Sequence, residues 1–256
     1  INQLRCLVLR RCDYDEKGWS RHQHFGLRKE WLEFYLSDRE GWRQNSTLGN
    51  RQVDSFATWL KTAGIEDKKG NLTALGMEFI RRGVDDLSLW ELLWVNVVFS
   101  FPTARWYAHL GLGTWSTTEL KAMLEQSVPR LAERTVINAI MELAGLLERT
   151  PVGKELGQGY VSGNKPRRIS RIGREPNDSA IIHSIGKLYL QQDRTILPWS
   201  ESLAWPWVVF GCSLDSILER LIKMDQDYFM IDDKGIIICR SEKEEWQCGD
   251  IAISWL

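Results

Sequence analysis

Apolar positions recur with a helical period over most of this chain. Between residues 26 and 36, Leu27, Trp31, Leu32, Phe34 and Tyr35 share one helix face with charged residues between them, which predicts a short amphipathic helix. Residues 50–63 place Val53, Phe56, Ala57, Trp59, Leu60 and Ala63 on one face, and Gly64 follows as a C-terminal stop. A polar turn over 66–71 leads to Leu72-Thr73-Ala74-Leu75-Gly76, where Thr73 can cap a helix running to Arg81. Residues 87–101 are almost continuously apolar, broken by Glu91 and Asn96, and predict a helix buried on most sides and ended by Pro102. Ser116 or Thr117 caps a helix through Leu124. Residues 135–147 then carry Val136, Ile137, Ile140, Leu143 and Leu147 on a long amphipathic helix. Near the end, Ser213 caps a helix bearing Leu214, Ile217, Leu218, Leu221 and Ile222. Residues 228–231, an Asp-Asp-Lys-Gly turn and residues 236–239 read as a β-hairpin.

A helix followed by a glycine-bearing turn occurs at Gly76 and again at Gly153, with residues 149–160 resembling a wing. That spacing suggests a degenerate repeat of about 75 residues, with chance similarity as the alternative. The expected fold class is mainly α with small β-hairpins, arranged as tandem winged-helix-like units sharing one extended core. The expected division is a lead-in or linker over 1–20, a first unit with the buried helix over 21–110, a second unit with a basic loop over 111–178, and a C-terminal helical and hairpin unit over 179–256. Residues 157–178, rich in Gly, Pro, Arg and Ser, are expected to form an exposed connection.

Composition adds limits. At 256 residues with 43% hydrophobic and 26% charged positions, the chain can bury a substantial core. Its 13 Trp either fill that core or mark a contact surface. No apolar run reaches the roughly 18 to 20 residues that cross a bilayer, so no membrane span is expected. The sequence opens with Ile1 and lacks a signal-peptide pattern, so it is expected to be a piece of a longer polypeptide. Five irregularly spaced cysteines suit reduced thiols, and a cytoplasmic location is expected. A net charge of −1 creates no global field, but residues 156–174 hold five bases (Lys165, Arg167, Arg168, Arg171, Arg174) and no acid.

Winged helices bind DNA through a recognition helix in the major groove while wing and loops grip phosphates. The candidates are Arg51, Gln52 and Lys61 on the first well-signalled helix, and Arg130, Arg134 and Asn138 around the second. Phosphate contacts are expected from Lys165, Arg167, Arg168, Arg171 and Arg174. The same units also serve as protein–protein modules, and a near-neutral charge keeps that alternative open. Cys6, Cys12, His22 and His24 offer four ligands within nineteen residues, which could hold zinc, or part of an iron-sulfur cluster shared with cysteines elsewhere. That spacing matches no usual finger or ribbon, so chance is the competing reading and no cofactor is expected. Cys239 and Cys248, beside the hairpin, read as packing residues. There is no nucleophile–base pair, no carboxylate-pair motif and no phosphate-cradling glycine loop. The Gly111-Leu-Gly113 and Gly157-Gln-Gly159 steps read as turns, and no catalytic residue is assigned.

The segment from His24 through Phe25, Arg28, Trp31 and Leu32 resembles the signature of a prokaryotic family, the domain-of-unknown-function family numbered four thousand and seven. Residues 48–53, Trp59-Leu60-Lys61, Leu72-Thr73-x-x-Gly76, residues 86–93 with Trp90, and Thr150-Pro151-Val152-Gly153 resemble it further, in order and spacing over roughly residues 20–180. The chain departs from the pattern where His24 directly precedes Phe25, leaving His22 to take the usual histidine place. The resemblance implies a setting in DNA phosphorothioation and other phage-defence operons, beside or fused to a phosphoadenosine-phosphosulfate-reductase-like enzyme. It implies an accessory DNA-handling role, with DNA and that enzyme or another defence-system subunit as partners. The alternatives are the C-terminal segment of such a sulfur-transfer enzyme and a winged-helix transcriptional regulator.

Overall fold

The computed structural model describes residues 17–200, 202–224 and 229–239. The fold is mainly helical with two small three-stranded antiparallel sheets. At its centre lies the apolar segment: α5 (Leu87–Ser100), capped by Asp86, whose carboxylate accepts from Ser88 N, has ten buried side chains. Its two polar interruptions tie it to neighbours. Glu91 accepts from Asn177 N at 2.8 Å, and Asn96 donates to Ala63 O at 3.1 Å while its Oδ1 meets His183 Nε2 at 2.9 Å.

In the first half of the chain, α1 (Lys29–Ser37) and α2 (Trp42–Asn45) share the apolar cluster around α5, on which α3 (Asn50–Thr62) and α4 (Ala74–Arg82) pack directly. Thr73 caps α4 as expected, accepting from Gly76 N at 3.1 Å. The polar turn before it makes only an isolated Glu66–Leu72 bridge, so residues 21–110 form no winged unit among the described residues. Pro102 ends α5 and also starts α6 (Pro102–His109); no single described helix is long and apolar enough to cross a membrane, and α5 and α6 together are bent by 102°.

The two sheets repeat one another. The order α6, β1 (Gly113–Ser116), α7 (Thr117–Ser127), α8 (Glu133–Arg149), β2 (Tyr160–Ser162), β3 (Arg168–Arg171) gives a sheet ordered β1-β3-β2. The order α9 (Asp178–Gln192), β4 (Ile196–Pro198), α10 (Pro206–Phe210), α11 (Leu214–Lys223), β5 (Phe229–Ile231), β6 (Gly235–Ile238) gives a sheet ordered β4-β6-β5. This repeat, over 102–171 and 178–238, replaces the one expected between Gly76 and Gly153. Those two glycines share only tight backbone packing, because a Cβ would lie 2.4 Å from Ile65 O at Gly76 and 1.8 Å from Leu147 O at Gly153. The expected boundary at 110/111 falls inside the first repeat, and the loop expected over 157–178 contains β2 and β3.

The core comprises two apolar clusters, one around α5 and α8 and one inside the second repeat, with Phe99, Val208 and Cys212 packed against both. Tryptophan serves this core. Trp59, Trp90, Trp94, Trp106 and Trp205 are fully buried, and each indole N–H finds an acceptor: Phe25 O, Val84 O, Val209 O, Ser127 Oγ and Ser200 O.

A candidate nucleic-acid interface

The first repeat builds a groove. Ser116 and Glu119 form a reciprocal capping box at the start of α7, with Ser116 Oγ accepting from Glu119 N at 3.1 Å and Glu119 accepting from Ser116 N at 2.6 Å. Thr117 N donates to Arg167 O at 2.9 Å, so the β2–β3 turn is fastened to the helix start. Thr117, Thr118, Lys121, Ile140, Met141, Asn164, Lys165, Pro166 and Arg167 line a groove of about 580 Å³ between that turn, α7 and α8.

Strand alternation sorts the arginines of β3. Arg168 is exposed, Ile169 is buried, Ser170 faces out and bonds Thr114, and Arg171 is 1% exposed. Arg171 is therefore no phosphate ligand, which corrects its assignment from the sequence. Its guanidinium donates to Ala108 O (2.7 Å), Gly111 O (3.4 Å), Val208 O and Val209 O (both 2.9 Å), and twice to Gln158 Oε1 (3.1 and 3.0 Å). The charge sits against the C-terminal ends of α6 and α10, where helix dipoles are negative. Burial pulls its pKa down to about 10. It joins the two repeats.

Of the other expected contacts, Lys165 and Arg168 are exposed, and Arg167 pairs with Glu148 at 2.9 Å. Arg174 is exposed but donates to Glu155 O at 2.9 Å. Arg134 is exposed and Asn138 half-buried, one turn apart on α8, while Arg130 is exposed in the preceding turn. On α3, Arg51 donates to Gln23 Oε1 at 3.1 Å, Gln52 accepts from Gly49 N at 3.2 Å as a helix cap, and Lys61 donates to Lys68 O at 3.2 Å. None of these three lines the groove. Sequence reading missed Lys121 and Thr118, although Ser116 capping a helix with a basic residue one turn in was a usable signal.

Of the histidines proposed as metal ligands, His22 has another role, while the half-buried His24 ring lies against Phe25 with centroids 4.2 Å apart. His22 is fully buried, stacked on Trp59 with centroids 3.6 Å apart; its Nδ1 lies 2.9 Å from Glu142 and its Nε2 3.0 Å from Thr62 Oγ1. Both ring nitrogens are occupied, so it is not placed to bind zinc. Burial lowers its pKa, against the pull of Glu142. Glu142, also fully buried, accepts from Ser20 Oγ and from the amides of Arg21, His22 and His24. This clasp holds residues 20–24 on α8, and Gly26 lies directly on Gly145. Cys6, Cys12 and Cys248 lie outside the described residues, and Cys239 is exposed instead of packed. Among the described residues no group of three or more His, Cys, Asp or Glu could hold a metal ion.

Neither a family model nor a curated protein matches this chain. Among solved structures, a magnesium ion-bound SspB crystal structure is similar, with a TM-score of 0.59 over 94% of this chain and 98% of its own, at 12% identity. At that identity the likeness is one of fold. Magnesium favours oxygen ligands from carboxylates, and with no acidic group of metal-binding size among the described residues, no metal role is carried over.

Proposed function

We propose that this chain is a non-catalytic DNA-binding or scaffold component of a prokaryotic DNA-modification system of the phosphorothioation type, or of a phage-defence system. The setting rests on the sequence resemblance, which also names a phosphoadenosine-phosphosulfate-reductase-like protein or another defence-system subunit as partner.

The observation that carries the DNA reading is the groove of the first repeat. Helix, strand, helix, helix, strand, strand with the third strand central is the order of a winged helix, in which α8 is the recognition helix and residues 163–167 the wing. Lys121, Lys165 and Arg167 line the space between these parts, with Arg168 beside it. Arg134 and Asn138 stand on α8 as the side chains able to reach base edges. The exposed run on α8 ends where Gly26 covers Gly145, so backbone phosphates supply most of the grip.

The test is titration of the purified chain with a labelled duplex at about 50 and 200 mM salt. Wild type binds, and Lys121→Ala with Lys165→Ala flattens the log–log salt slope by about two units, roughly 0.9 per phosphate contact. Absence of binding at the lower salt, or a slope indifferent to both substitutions, refutes the reading.

A further inference from the structure

Among the cations lining the groove, Arg167 differs from its neighbours. Its Nη1 lies 2.9 Å from Glu148 Oε2, and the two side chains are 30% and 37% exposed. Glu148 sits on the last turn of α8 and lines the adjoining groove between α8, Lys29, Asp85 and Lys154, so the pair stands between two open surfaces. Lys121 and Lys165 line the first groove, and no acid among the described residues is drawn against either of them.

We infer that Glu148 is an internal counter-ion for the wing, a carboxylate that occupies Arg167 until a phosphate displaces it and so sets the ionic strength at which the first repeat releases DNA. This rests on the duplex-binding reading above. A guanidinium presents five donors in a fixed fork, and a carboxylate and a phosphate compete for the same face of it. While Glu148 holds it, the pair carries no net charge toward an approaching backbone, and Arg167 adds little to counterion release. With the acid neutralised, Arg167 counts as one more phosphate contact. The pair is open to solvent, so its removal leaves the fold's stability almost unchanged.

The experiment compares wild type, Glu148→Gln, Glu148→Gln with Arg167→Ala, and Arg167→Ala alone, each as the full chain, by fluorescence anisotropy with a random duplex. Glu219→Gln, an exposed acid on α11 in the other repeat, controls for the general loss of a negative charge. One extra contact at about 0.9 units of slope tightens binding roughly 15-fold at about 50 mM salt and about 4-fold at about 200 mM. That gain is expected for Glu148→Gln, is absent from the Arg167→Ala background, and is not reproduced by Glu219→Gln. Wild type binding while Glu148→Gln binds no more tightly overturns the inference alone, as does a gain that survives Arg167→Ala. Wild type failing to bind at the lower salt brings down the duplex-binding reading, and this inference with it.

Discussion

Arg171→Met removes a buried cation that has no carboxylate partner among the described residues, and the structure allows its cost to be worked out. Methionine fills much of the same space but donates nothing. Val209 O keeps Trp94 Nε1 as a donor at 2.8 Å, and Ala108 O keeps Gly111 N at 3.3 Å. Gln158 Oε1, Val208 O and Gly111 O lose the donors the guanidinium supplied. Each orphaned buried acceptor costs about 1–3 kcal/mol. Against this stands the relief of no longer burying a charge, which is why the Arg171 pKa falls to about 10. About 6 kcal/mol for three acceptors, less roughly 3 kcal/mol for the relieved charge, leaves a net loss of about 3 kcal/mol, a fall in Tm of roughly 6–12 °C for a chain of this size. Thermal unfolding followed by circular dichroism measures it, with Arg168→Ala as the comparison. That exposed neighbour should stay within about 0.5 kcal/mol of wild type while weakening duplex binding. If Arg171→Met melted like wild type and lost duplex binding as Arg168→Ala does, the structural assignment of Arg171 would be wrong.

Gly26→Ala would put a Cβ 2.2 Å from the Gly145 backbone, where neither chain can yield cheaply, so a loss of about 2–4 kcal/mol is expected in urea unfolding; a change under about 0.5 kcal/mol contradicts the packing of residues 20–26 on α8. Glu142→Gln turns an amide N–H2 toward a site already full of donors, and an unfolding midpoint equal to wild type's would show that the clasp contributes nothing. Burial lowers the pKa of His22, His109 and His183, the last well below 6.5. Below pH 6.5 the unfolded chain takes up protons that the folded chain refuses, so stability is complete above that value and falls as pH drops through it. The slope approaches about 1.4 kcal/mol per pH unit for each histidine, and chemical denaturation at about pH 7.5 and 5.5 tests it; equal stabilities at the two values refute the burial argument.

Long periodic segments were legible in the sequence because packing leaves a strong imprint on them. The helices at 50–62, 87–100, 133–149 and 214–223 lie where the apolar spacing put them, and the terminal hairpin forms around the Asp-Asp-Lys-Gly turn. Strands β1, β2 and β4, three or four residues each, show no clear apolar alternation, which hid them. Pro102 was read as a stop, but proline at a first helical position also begins one, which hid α6. Helix α9 is buried on nearly every side, so it shows little amphipathic periodicity and was not singled out. The error over Arg171 was avoidable. In Arg168-Ile169-Ser170-Arg171 a period of two with Ile169 inward also turns Arg171 inward, and treating the stretch as a loop discarded that information. The occupation of His22 by Glu142 spans 120 residues of sequence, and nothing local to either residue announces it.

The two repeats share an order of elements but present different surfaces. In the first, the row across the outer sheet face is Thr114, Ser170 and Tyr160, and its turn carries Lys165 and Arg167. In the second, the corresponding row is Ile196, Ile237 and Met230, and its turn carries Asp232 and Asp233, with Asp232 accepting from the turn's own amides at Lys234 and Gly235. A polyanion approaching both turns meets cations at one and, at the other, two acids against the single cation Lys234, which favours the first repeat for the proposed DNA contact. The distinction persists although the repeats are joined. Arg171, on the strand whose other end bears Arg168, is bonded to Val208 O and Val209 O of α10. The strand that carries the exposed arginine is thus anchored at its far end in the second repeat.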